Sequence, residues 1–188
     1  MKSGVVMFSG ENNNFENDFG YASELTQKLL PILNKNIKGS VVQTEHLKDK
    51  VATILDQYSG IDGLYKKDGI SGLALRCQDC QTKNWRTFTI RYSRHTGSKT
   101  EYEKRLESII SGNEFYPHYT CQAYFDDKKN LLGAGFVFTV DLFEIAQKYD
   151  PFKEYGSIYL QTNGNDDNTF IVVPFDMFSK FNKPILEL

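Results

Sequence analysis

The sequence has no run of 18 apolar residues, so no segment is built to cross a bilayer as a helix. The apolar stretch at residues 5–8 is too short for an export signal. Cysteine is scarce and odd in number, three in all, which argues against a disulfide framework. Together these absences predict a cytoplasmic protein with no membrane partner. There is no excess of positive charge either: the net charge is -2 and the pI is about 5.9. A uniformly basic nucleic-acid binder is excluded, while a local basic groove is not. No G-x-S-x-G, Walker loop, dinucleotide fingerprint or H-E-x-x-H occurs.

Aromatic residues are plentiful, with 11 Tyr and 14 Phe among 188 residues. That content supplies the core of an ordered domain, and the length suits one domain, 1–188. Apolar spacing predicts a helix over 21–34 that Pro31 breaks or kinks, after a polar loop at 9–20. A second helix follows Thr44, with Leu47, Val51, Ile54, Leu55 and Tyr58 as its stripe. Three strands then form a meander: 61–65, 70–77 after an Asp68-Gly69 turn, and 87–93. Thr100 and Glu103 have capping-box spacing for a helix that buries Leu106, Ile109 and Ile110. A hairpin (119–125 with 131–139), a helix (141–149), a further strand pair (156–162 with 169–173) and a helix begun by Pro174 complete the chain. The fold class is α/β (α+β): a mixed sheet with an αβββαβ core flanked by helices, plus a C-terminal β-hairpin and helix. The core spans 43–125, between an N-terminal helical extension at 1–42 and an elaboration at 126–188.

The chemistry concentrates in the meander. Strand alternation places Ala74, Arg76 and Gln78 on one face and Leu73, Leu75 and Cys77 on the other. With the leucines in the core, Arg76 and Gln78 project together, and Asp62 on the preceding strand can join them. Asp62 with Arg76 is then either a structural ion pair, a Mg²⁺ site for phosphodiester cleavage, or a phosphate-binding site that does not cut. A cationic tract follows, in which Arg91, Arg94, Lys99 and Lys104 with the helix start near Thr100 could cradle phosphate. Trp85, Tyr92, His95 and Tyr102 offer stacking surfaces. The competing reading makes Glu101, Glu103, Lys104, Arg105 and Glu107 an ordinary solvated helix face.

The order αβββαβ, with Asp62 on the first meander strand and Arg76 on the second, resembles the PD-(D/E)XK superfamily, the restriction-endonuclease-like fold. The stretch 69–76 stands where that family has its second motif. The resemblance implies that Asp62 binds Mg²⁺, that Arg76 holds the position of a water-orienting Lys, and that Ala74 replaces a metal-binding acid. Gln78, Glu101, or Glu45 or Asp49 on the preceding helix would then have to supply the missing ligand. Arginine stays protonated and cannot share a proton with water, so the exchange favours holding phosphate over cutting it. The expected function is nucleic-acid binding, to DNA or RNA, of a kind that would suit a phage or mobile-element protein. The alternative is an inhibitor or adaptor that meets a protein partner through its aromatic C-terminal third.

A zinc site is a further candidate. Cys77 and Cys80 form a C-x-x-C, and His118 and Cys121 an H-x-x-C, together four tetrahedral ligands for Zn²⁺. Ordinary thiols are the alternative. His46 reads as a surface histidine, and the Asn/Asp-rich loop at 163–168 as a hairpin turn rather than a Ca²⁺ loop.

Overall fold

The computed structural model describes residues 15–44, 55, 60–80, 83–94, 97–112, 116–149, 157–162 and 168–188. The predicted helix after Thr44, apart from Leu55, and the loop at 163–167 lie outside them. The first element, α1 (Phe15–Asn36), begins earlier than the apolar spacing suggests and is not broken at Pro31, which lies inside it. Leu25, Leu29 and Leu33 are buried at intervals of four, while Pro31 is exposed. Burial of that stripe outweighs the one backbone hydrogen bond a helical proline forfeits.

The strands β1 (Ser40–Gln43), β2 (Gly63–Lys66) and β3 (Ile70–Asp79) follow, with β2 and β3 joined by the Asp68-Gly69 turn. Next come β4 (Thr87–Ser93), α2 (Glu101–Ser111), β5 (Tyr119–Phe125) and β6 (Leu131–Phe138). The chain continues with α3 (Thr139–Ala146), β7 (Tyr159–Thr162), β8 (Thr169–Pro174), α4 (Asp176–Lys180) and β9 (Leu186–Glu187). Pro174 thus ends β8 instead of opening the last helix, and β1 and β9 are strands the patterning did not reveal.

A mixed six-stranded sheet has the order β1-β2-β3-β5-β6-β9, with β3 and β5 parallel. A second, antiparallel sheet has the order β4-β8-β7. The expected three-strand meander therefore stops at β3. Register from Leu73↔Tyr119 to Asp79↔Phe125 fills the edge of β3, and β4 pairs instead with β8. The fold is mixed α/β, as the element pattern predicts.

Two apolar layers hold it. In one, Leu25, Leu29 and Leu33 of α1, with Ile37 just beyond it, meet Leu73, Cys121, Ala123 and Phe125. In the other, Phe88, Ile90, Tyr124, Val137, Phe143, Ile171, Phe175 and Phe178 join both sheets to α3 and α4. Gly135 is required there, since a Cβ would stand 2.5 Å from Phe175 Cζ and 2.8 Å from Phe88 Cζ. The aromatic C-terminal third is mostly this core, with Phe138 and Phe181 its exposed members among the described residues. No described helix is long and apolar enough to cross a membrane.

Candidate phosphate-binding pocket

Alternation along β4 sorts its side chains into two sets. Phe88, Ile90 and Tyr92 enter the apolar layer, and Thr87, Thr89 and Arg91 turn toward β3 and β5. Between the strands lies a polar belt with Gln122 of β5 at its centre, only 1% exposed. The Thr89 backbone N–H donates to Gln122 Oε1 at 2.8 Å. That bond fixes the amide, so Gln122 Nε2 donates to Gln78 Oε1 at 2.9 Å and to Tyr124 Oη at 2.8 Å. The Tyr124 hydroxyl donates in turn to the Thr87 carbonyl at 2.6 Å. A buried amide with this many partners satisfies its own polar atoms and orders its neighbours.

Beside the belt opens a cavity of about 470 Å³. Its ionic lining consists of Arg76, Arg91, Arg94, Lys104 and Arg105 against Asp62 and Glu101. Thr89, Thr120, Gln122, Ser108 and Tyr116 contribute polar groups. The helix α2 reaches it because Thr100 and Glu103 form the predicted capping box: the Glu103 N–H donates to Thr100 Oγ1 at 3.2 Å, and the Thr100 N–H to Glu103 Oε2 at 2.7 Å. Glu103 is thus itself the anion at that helix end, and the expected phosphate cradle there is already filled by the chain. One helical turn separates Glu101 from Arg105, and both point inward. The solvated-face reading fails for this pair, since Arg105 is only 8% exposed. The expected buried face of this helix fails at Ile110, which is 77% exposed.

Glu101 is the electrostatic centre. Its Oε2 accepts from Arg76 Nη2 at 2.9 Å and from the Arg91 N–H at 3.4 Å, and its Oε1 lies 2.9 Å from Arg105 Nη1. Burial works against its ionised form, but Arg105 and then Arg76 overcome this and hold the carboxyl down at about 2. Arg76 also donates through Nη1 to the Thr89 carbonyl at 2.6 Å and to Thr89 Oγ1 at 2.9 Å. The partner of Arg76 is therefore Glu101, not Asp62. Asp62 Oδ2 instead accepts from the Leu75 N–H at 2.7 Å, and the Asp62 N–H donates to the Leu73 carbonyl at 2.9 Å. Asp62 extends the β2–β3 ladder with its own side chain.

The described residues do not fit the Mg²⁺ that the resemblance implies. Ala74 has no donor, Glu101 is neutralised by two guanidinium groups, and the Gln78 carbonyl is committed to Gln122 and does not line the pocket. Asp62 is itself bound by the Leu75 N–H, and no cluster of three His, Cys, Asp or Glu is found among the described residues. Glu45 and Asp49 lie outside them. The zinc set is not assembled either. Cys77 and Cys121 pack in the α1 layer, whereas Cys80 packs against the other one. Burial pushes the Cys77 and Cys80 thiols up to about 11, and raises Cys121 further. Thiols divided between two layers do not converge on one ion. His118 stacks on Tyr116, with ring centroids 4.9 Å apart.

Of the expected nucleic-acid contacts, Arg91, Arg94 and Lys104 line the pocket. Lys99 does not; it pairs with Glu107 at 2.6 Å. Trp85 lies under Lys83, 3.7 Å from ring centroid to Nζ, and packs against the core. Tyr92 bonds to the Tyr149 hydroxyl at 2.8 Å and meets Tyr102 edge to face, so both rings are structural. His95 lies outside the described residues. Sequence reasoning missed Gln122, Thr89, Thr120, Tyr116 and the inward turn of Arg105. Only the i, i+4 spacing of Glu101 and Arg105 could have hinted at the last. Comparison with known proteins returns no matching family model and no matching curated protein.

Proposed function

We propose that this pocket binds phosphate groups of DNA or RNA and does so without a metal centre. The observation that carries the reading is the ionic lining: five cations face two carboxylates, and both carboxylates are engaged by the protein. The cationic surplus of three is local, on a chain whose net charge is -2, so it is a site rather than a bulk property. Phosphate oxygens are strong acceptors for guanidinium donors, and partial burial strengthens each such bond. Arginine where a water-orienting lysine would stand, with both pocket carboxylates engaged by the protein, favours binding over hydrolysis.

The test is fluorescence anisotropy with short single-stranded DNA and RNA over a salt series. With three charges neutralised, log affinity is expected to fall against log salt with a slope of about -2. Lys104→Ala, on an exposed stem, weakens binding and makes that slope shallower by roughly 0.7. Binding that ignores salt and Lys104 would sink the proposal. So would Mg²⁺- or Mn²⁺-dependent cleavage that Asp62→Ala abolishes.

A further inference from the structure

We infer, resting on the phosphate-binding reading, that the pocket prefers a terminal phosphate monoester over an internal phosphodiester. The ligand is the phosphorylated end of a nucleic-acid strand or a free nucleotide.

Charge is the first argument. An internal diester brings one negative charge and two non-bridging oxygens. A monoester brings nearly two charges at neutral pH and three acceptor oxygens. The lining, with five cations against two carboxylates, is over-provided for the diester and suited to the dianion.

The direction of the donors is the second. Arg76 comes from β3, Arg91 and Arg94 from β4 and the residue just beyond it, and Lys104 and Arg105 from α2. A backbone running past a surface is met by cations in a row, whereas donors converging from three elements suit a tripod of oxygens. Arg94 Nε is buried and makes no hydrogen bond, and neither Arg94 nor Lys104 joins an ion pair among the described residues. A buried N–H without an acceptor is costly, and a bound oxygen would relieve it.

Size is the third. About 470 Å³ is the scale of a pocket that seats one small ligand, such as a nucleotide. Tyr116 in the lining is braced by the His118 ring at 28° between planes, which offers an aromatic face to a terminal base.

The experiment compares one oligonucleotide in three forms, carrying a 5′-phosphate, a 3′-phosphate or hydroxyl ends, with an internal fluorophore. A nucleoside monophosphate serves as competitor. At least one phosphorylated form is expected to bind about tenfold tighter than the hydroxyl form, the gain of one further charge-assisted contact. Which form it is identifies the end, and displacement by the mononucleotide at similar concentration assigns the free nucleotide. Arg94→Gln and Lys104→Ala should each erase the preference while retaining weaker binding of the hydroxyl form. Equal affinity for all three ends overturns this inference and leaves phosphate binding standing. Absence of binding to any form overturns both.

Discussion

Glu101 shows how one side chain can hold a site of the opposite sign. Without it, Arg76 and Arg105 would lose the carboxylate that bridges them. Glu101→Ala is therefore expected to cost about 3–5 kcal/mol, measured by urea denaturation, because it strands a buried charge. The acid behaviour follows from the same contacts. The carboxyl falls from 4.5 to about 2 on folding, so its contribution is complete above about pH 5 and is lost as pH drops toward 2. Glu101→Gln should flatten the decline of stability across that window, and an unchanged pH profile would refute the assignment. Asp62, in contrast, acts on backbone: a residue that the sequence presents as a metal ligand closes a ladder at Leu75 N–H. Composition and spacing cannot separate these roles, because a carboxylate suits a cation and a peptide N–H equally well.

Elements were legible where their signals are local. The Thr100–Glu103 box, the Asp68-Gly69 turn and the stripe at Leu25 and Leu29 each involve neighbours in sequence, and each forms as its pattern predicts. Strand β4 was legible as a strand and misleading as a neighbour. Its partner β8 begins 82 residues after β4 does, and no short-range pattern announces that pairing (Thr87 against Pro174). The inward face of α2 was hidden for a related reason, since an alternating charge pattern reads the same whether or not a cationic cavity lies beside it. Pro31 misled in the other direction: a helix breaker by propensity was overridden by the burial of Leu29 and Leu33 on either side of it. Replacement of this exposed proline by alanine restores an N–H to the helix. Pro31→Ala is expected to raise stability by about 1–2 kcal/mol, the propensity gain less the entropy proline removes from the unfolded chain. A lower thermal midpoint for the variant would show that Pro31 is needed in place.

At the scale of the molecule, the two apolar layers share β5. Cys121, Ala123 and Phe125 face α1, while Tyr124 enters the layer beneath β4 and α4. A strand that belongs to both cores ties their stabilities together. Leu29→Ala in one layer and Phe178→Ala in the other should each cost about 2–5 kcal/mol and shift one shared transition, seen alike by far- and near-ultraviolet circular dichroism. Two separated transitions would mean that the layers unfold independently.

The same division reaches the cysteines. One thiol lies fully inside the α1 layer at Cys121 and another against the opposite layer at Cys80, and neither is a thiolate near neutral pH. Cys121, fully buried, is therefore expected to escape alkylating reagents until its layer parts, whereas Cys77 and Cys80 are only partly covered. This chain thereby carries its own clock for breathing: the rate at which Cys121 is captured reports how often the α1 side of the sheet admits water.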